Sequence, residues 1–218
     1  MFDRNSALFK ALGDEELESL AKHSRLKVLS KHQYLCTQYT DAQYVYIIAS
    51  GAAVAERVSS DGRRQVLSFI FPGDVIGLTY HHEFSVKSLT PLTSHQFRQN
   101  KIAELSEKYS SLSDNLSSIR ERVIALMLDQ LYLLGQKKAH ERVCFLLLHL
   151  LKRLPGASVD NIELPMTRLD MADYLGLTVE TVSRSITKLK AEGLIETTEL
   201  HSMAITDLET VTKLADIN

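Results

Sequence analysis

Two cysteines in 218 residues, Cys36 and Cys144, leave this chain without the thiols for a disulfide framework. They lie far apart in sequence, and reduced thiols in a cytoplasm fit that usage. A basic excess is missing too: 25 Lys and Arg stand against 27 Asp and Glu, a formal net charge of −2. Bulk charge therefore gives no pull toward nucleic acid, and any such function has to rest on local geometry. The longest apolar run, Val143 to Leu151, includes His149 and is too short to span a bilayer. The opening MFDRNSALFK lacks the apolar core of a secretory signal, so a cytoplasmic protein with no membrane partner is expected. No P-loop, G-x-S-x-G or H-E-x-x-H spacing occurs, and an enzyme is not expected.

What the chain does have is a helix, a tight turn and a second helix in TRLDMADYLGLTVETVSRSITKLK, residues 167–190. Thr167 is placed to cap the first helix, with Asp170 as a weaker echo of the capping-box partner. Leu169, Ala172 and Leu175, with Met171 nearby, give that helix its apolar stripe. Gly176 breaks the pattern where a turn between crossing helices wants positive φ. Leu177 and Thr178 open the second helix, and Val182, Ile186 and Leu189 run along its inner face. Glu180, Thr181, Ser183, Arg184, Thr187 and Lys188 are left for the outer face.

In a helix-turn-helix that outer face enters the major groove. Arg184 can fork onto guanine O6 and N7, Glu180 can accept from cytosine N4, and Ser183 can meet a thymine methyl or a base edge. Thr167, Arg168, Thr178, Thr181 and Lys188 are placed for phosphates, which set register without reading sequence. An ordinary amphipathic helical hairpin is the plain alternative.

Residues 33–98 have a different texture. YLCTQY, YVYIIAS, AAVAERV, RQVLSFIF, FSVKSLT and LTSHQFR are short β-rich runs, separated by turn signals such as Ser50-Gly51, Ser60-Asp61-Gly62 and Pro72-Gly73-Asp74. Such spacing predicts a β-roll or jelly roll. Before it, Asp14 is placed to cap a lead-in helix through Leu17 and Leu20. After it, Leu112, Leu116, Ile119, Val123, Leu126, Gln130 and Leu133 alternate steps of four and three. That predicts one helix over 112–134 whose seam pairs with a second copy, Gln130 fixing the register. Packing on its own barrel is the alternative use of the same face.

Gly135 and the lysines after it make a hinge. His140 to Leu154 is then a buried helix, Ile162 to Leu164 a short ribbon, the stretch after Gly193 a hairpin wing, and Leu208 to Asn218 a terminal helix. The expected fold class is α+β in three parts: an effector β-roll over 1–110, a dimerisation helix and hinge over 111–136, and a winged helix-turn-helix over 137–218.

MTRLDMADYLGLTVETVSR resembles the DNA-binding helices of the CRP/FNR transcription-factor superfamily, most closely the FNR and FixK branch. SSDGRRQVLSFIFPGDVIGL resembles the superfamily's cyclic-nucleotide-binding-like roll, and LFKALGDEELESLAKHS its N-terminus, so the likeness covers nearly the whole chain. In that branch E-x-x-S-R reads a TTGAT half-site. The resemblance implies that Arg184 takes the guanine, Glu180 the cytosine opposite and Ser183 a thymine. It also implies a homodimer on a double-stranded palindrome close to TTGAT-N4-ATCAA, activating transcription through RNA polymerase. The candidate polymerase contact is the turn Ser59, Ser60, Asp61, Gly62, Arg63 and Arg64, against the plainer reading of a solvated hairpin.

Three sensing chemistries can be weighed against that likeness. An iron–sulfur cluster takes about four thiolates; residues 1–35 contain none, and His95 stands where FNR and FixK carry their barrel cysteine. Cyclic AMP is held in the superfamily by a Gly-Glu pair and an Arg followed by Ser or Thr. After Gly77 this chain runs LTYHHEFSVKSLT, with no arginine and with Lys87 as a point charge only. Haem could take an axial imidazole from His81, His82 or His95, although such a histidine pair also occurs in members without haem.

No metal and no cofactor are therefore expected, and the effector is left open. The alternative is a haem- or small-ligand-sensing member whose roll ligand gates DNA binding. A ligand-binding module that has lost its DNA function is a further rival; it would show no salt-dependent association with duplex DNA. Cys36 would be redox-reactive if exposed near positive charge; a quiet buried thiol is the plainer expectation.

Overall fold

The structure is a computed structural model that describes residues 2–3, 6–79, 81–199 and 201–216. The chain divides into two compact units, residues 1–127 and 128–218.

The first unit begins with α1 (Asp14–His23). Glu16 accepts from the Gly13 N–H at 2.5 Å, so Gly13 is the cap and Asp14 the first helical residue, not the cap the sequence suggested. Eight antiparallel strands follow among the described residues: β1 (Arg25–Leu29), β2 (Tyr34–Cys36), β3 (Tyr44–Ser50), β4 (Ala53–Val58), β5 (Arg64–Ile70), β6 (Val75–Ile76), β7 (Ser85–Ser88) and β8 (Leu92–Arg98). They form two sheets ordered β1-β8-β3-β6 and β2-β7-β4-β5.

Side chains alternate across the strands, and the two faces go to different cores. Tyr46, Ile48, Leu92 and Val86 fill the roll, while Val45, Ile47 and Phe97 meet Leu8, Phe9 and Leu20 on the outer side. The six predicted runs are β2, β3, β4, β5, β7 and β8. β1 went unread because no turn signal separates RLKVL from the helix before it, and β6 is two residues long, too short for a period. α2 (Gln99–Lys108) was also missed; only Ile102 and Leu105 are buried in it, too few for a stripe.

α3 (Ser110–Gln136) is the predicted long helix, extended slightly at each end. Its 27 residues make a rod of about 40 Å at ~1.5 Å per residue. The predicted seam does not lie open. Leu112, Leu116 and Ile119 are buried in the outer core of the first unit, and Leu133 is buried in the second. Gln130 is half-buried, its Nε2 donating to the Tyr174 carbonyl at 2.7 Å. Those side chains cannot also face another copy. The exposed stripe is Ile124, Met127, Leu128 and Leu131, with Val123 beside it and Leu126 half-buried. The unit boundary falls inside α3, not at its ends, because its first turns are rooted in one core and its last turns in the other.

The second unit continues with α4 (Ala139–Arg153), β9 (Ile162–Glu163), α5 (Arg168–Leu175), α6 (Val179–Ala191), β10 (Ile195–Glu199), β11 (Ser202–Ile205) and α7 (Leu208–Ala215). α4 buries Val143, Cys144, Leu146, Leu147 and Leu150 and packs on α6 and α7. The ribbon and wing form a sheet ordered β10-β11-β9. Leu200 in the wing, and Ile217 and Asn218 of the terminal helix read from sequence, lie outside the described residues; α7 ends at Ala215. Among the described residues no helix is long and apolar enough to cross a membrane.

Candidate nucleic-acid interface

The capping box before α5 closes fully. Thr167 Oγ1 accepts from the Asp170 N–H at 3.1 Å, and the Asp170 carboxylate accepts from the Thr167 N–H at 2.9 Å. Met171, Ala172, Tyr174 and Leu175 face the core, whereas Leu169 is 55% exposed and leaves the predicted stripe. The inward face of this short helix is therefore set by 171, 172, 174 and 175. Gly176 takes φ +62°, and its N–H and that of Leu177 both bond the Ala172 carbonyl. That left-handed residue ends one helix and lets the next leave at an angle.

Thr178 caps α6, its hydroxyl accepting from the Thr181 N–H at 3.2 Å. Val182, Ser185, Ile186 and Leu189 are buried, which turns Glu180, Ser183, Arg184, Thr187 and Lys188 outward. Glu180 and Arg184 lie one turn apart on that ridge. The Glu180 backbone N–H, the Thr178 hydroxyl and Arg184 hold the Glu180 carboxyl below its usual range, so it is an acceptor at neutral pH. Arg184 NH2 rests on Thr181 Oγ1 at 3.2 Å.

The phosphate candidates are less uniform. Thr167 and Thr178 are exposed but serve as caps; Thr181 is half-buried, with its hydroxyl 3.1 Å from that of Thr178. Arg168 is half-buried, with NH1 3.3 Å from the Met171 sulfur. Lys188 Nζ lies 3.5 Å from His140 Nε2 and 3.8 Å from Glu192 Oε1. Sequence reasoning missed Arg142 and gave Gln130 a different role, on the dimer seam; both hold the turn by acting on backbone carbonyls.

In the first unit the Ser59–Arg63 turn is exposed and self-tied. Ser59 N–H donates to the Arg63 carbonyl at 2.9 Å, Arg63 Nε meets Asp61 Oδ2 at 2.7 Å, and Gly62 has φ +84°. Arg64 is not part of that free surface: its Nε pairs with buried Glu56 at 2.7 Å, and the Tyr34 hydroxyl donates to the same carboxylate at 3.0 Å. Lys87 sits over the Tyr34 ring at 5.5 Å. A buried carboxylate already matched by Arg64, with no arginine in residues 78–90, does not fit the phosphate of a cyclic nucleotide.

The three histidines have different surroundings. His81 is exposed, Nδ1 3.0 Å from Asp41 Oδ1. His82 is buried, and burial lowers its pKa. His95 shares the outer face with Phe97; the Phe2 ring stands edge-on at 4.7 Å, and burial lowers its pKa. Among the described residues no group of three or more His, Cys, Asp or Glu gathers as a metal site. Burial pushes the Cys36 thiol up to about 11 and Cys144 to about 12, so neither is a ready thiolate at neutral pH.

Residues 26–109 match the family described as cyclic nucleotide-binding domain, and residues 141–214 that described as Crp-like helix-turn-helix domain. The chain is 34% identical to the nitrogen fixation regulation protein FixK of Bradyrhizobium diazoefficiens, over 88% of this chain and 83% of that protein. It is 36% identical to the transcriptional activatory protein AadR of Rhodopseudomonas palustris, over 83% and 76% respectively. The solved structure of FixK2 from Bradyrhizobium japonicum matches with TM-score 0.84 at 28% identity, covering 89% of this chain and 98% of that one. A CooA variant from Carboxydothermus hydrogenoformans shares the fold, with TM-score 0.78 at 18% identity, covering 98% and 96%. With both units matched and relatives above 30% identity spanning most of the chain, this protein belongs to the CRP/FNR family of DNA-binding transcription regulators, in its FixK-like branch.

Proposed function

We propose that two copies of this chain bind a palindrome close to TTGAT-N4-ATCAA and activate transcription from it. The observation that carries this is the outward ridge of α6, where Glu180, Ser183 and Arg184 stand free of the core formed by Val182, Ile186 and Leu189. Arg184 forks onto the guanine, Glu180 accepts from the cytosine opposite, and Ser183 meets a thymine. Thr167, Arg168, Thr178, Thr181 and Lys188 line the phosphates on either side. A two-fold reader needs a symmetric partner, and the apolar stripe Ile124, Met127, Leu128 and Leu131 supplies a self-complementary face for one.

The exposed Ser59–Arg63 turn is the surface offered to RNA polymerase, with Arg64 removed from it by Glu56. The protein acts without cyclic nucleotide, haem or cluster. Support for that comes from the Glu56–Arg64 pair, from the lack of arginine in residues 78–90, and from two cysteines where a cluster takes about four thiolates.

The test is a gel-shift series on the palindrome and on a copy with the half-site guanine replaced. Arg184→Ala should cost about 1–3 kcal/mol and erase the preference for guanine, while Lys188→Ala should weaken all duplexes alike and lower the salt slope by about 1. An Arg184→Ala protein that keeps the full wild-type preference would overturn the assignment.

A further inference from the structure

α5 stops at Leu175, and its last carbonyls have no further turn to accept from. Two side chains from elsewhere in the second unit take them. Gln130 Nε2, on the last turns of α3, donates to the Tyr174 carbonyl at 2.7 Å. Arg142 NH1, in the first turn of α4, donates to the Leu175 carbonyl at 2.8 Å.

The same guanidinium reaches two more carbonyls, Leu134 through NH2 at 3.0 Å and Lys137 through Nε at 2.8 Å. One planar cation thus closes the carbonyl ends of α3 and α5 together, with the hinge peptide as a third acceptor. Gly176 is fitted against this: a Cβ there would lie 3.0 Å from Leu134 Cδ2 and 3.6 Å from Arg142 NH1. Gln130 Oε1 is buried with no partner, and leaving such an acceptor unsatisfied is costly. The carboxamide is held on the Tyr174 carbonyl against its own solvation.

We infer that Gln130 and Arg142 are positioning residues that fix the helix-turn-helix to the end of α3 and thereby set the half-site spacing the dimer accepts. The inference rests on the dimer reading above. In that reading Leu128 and Leu131, both exposed on α3, face the second copy, and α6 faces the bases. The distance between the two α6 helices is then only as well defined as the joint between α3 and the turn. The backbone joint is short and bears Lys138, an exposed residue with extended φ and ψ. Lys137 and Tyr132 also reach Asp216, but that ties α3 to the end of α7, not to the turn. Burial of Leu133 roots α3 in the second core, and the side-chain clamp joins it to the turn itself. One base pair more or less in the spacer moves a half-site by about 3.4 Å and about 34°, which a clamped joint cannot follow and a released one can.

The test measures binding of the full-length protein to palindromes with spacers of three, four and five base pairs, and to the four-base-pair palindrome with its guanines replaced. Wild type should prefer the four-base-pair spacer by about tenfold or more, in the range of ordinary inter-site coupling. In Arg142→Lys, Arg142→Gln and Gln130→Leu that ratio should fall to about threefold or less, with guanine discrimination kept at the wild-type value. Lysine keeps the charge and loses the fork, so it should behave like glutamine.

Loss of affinity by one common factor on every spacer would mean that the residues only support the fold, and would overturn the proposal. If the Arg142 variants lose their helical circular dichroism, Gln130→Leu at a half-buried position decides. A wild type that stays single on its operator overturns the dimer reading and the clamp with it. Sharp spacing in wild type and in every folded variant removes the clamp alone.

Discussion

Burial holds the His149 imidazole well below its ordinary range, at about 4, and the nearby Arg153 and Lys152 push the same way. The ring lies parallel to Phe145 on α4, the helix that supplies much of the second core. In the unfolded chain the same group titrates near 6.5. Between those values the unfolded state takes up a proton that the native state refuses, so stability drops as the pH is lowered from about 6.5 to about 4. Above about 6.5 the contribution is fully present. It should amount to on the order of 1–3 kcal/mol, given that one pKa unit is ~1.4 kcal/mol. Thermal melts at pH 7 and pH 4.5 check this: the advantage of wild type over His149→Gln should shrink by that amount at the lower pH. An unchanged gap would mean that the imidazole is not kept neutral by its surroundings.

The outward placement of Glu180, Ser183 and Arg184 was legible in the sequence, because Val182, Ile186 and Leu189 mark the inner face of α6 at helical spacing. Arg142 did not stand out, and Gln130 stood out for another role, because the acceptors of both are backbone carbonyls, which every residue carries and no pattern marks.

α3 separates what a periodic pattern can tell from what it cannot. The three–four alternation was right about the helix and wrong about which side is free. Ile124, Met127 and Leu131 repeat the predicted steps one residue later than Val123, Leu126 and Gln130. Both sides of α3 carry apolar residues, and only the cores against which it packs decide which set is left over. Strand content was legible because turn chemistry brackets most of the runs, and it failed at β1 and β6, where no bracket or no length exists.

The phase shift gives opposite expectations for two leucines. Leu131, 67% exposed, should break the dimer when changed to Glu and leave the denaturation midpoint of the dissociated chain nearly intact. Leu116, 3% exposed, should cost about 2–5 kcal/mol when truncated to Ala and leave the association state unchanged. Sedimentation velocity and urea unfolding together separate the two. Dissociation by Leu116→Ala with no effect of Leu131→Glu would restore the seam first read from the sequence.

At the scale of the whole molecule, the question is whether the roll gates the DNA-binding unit. A ligand can shift an equilibrium only by its difference in affinity for the two states, so a gate needs a site whose contacts change. Among the described residues of the roll, Leu35, Ile48, Ile70 and Val86 are packed together in its interior, and its buried acid is held by Arg64 and Tyr34. A protein of net charge −2 also lacks the general attraction to DNA that would hide a missing specific contact. Protein purified from its host should therefore be colourless in the Soret region and should bind the palindrome with no ligand added. Millimolar cyclic AMP should leave the midpoint within about twofold, since equal affinity for both states shifts nothing. A Soret band, or a tenfold gain on adding nucleotide, would make the roll a sensor after all, and would require the Glu56–Arg64 pair or the His81–His82 loop to open when the ligand enters.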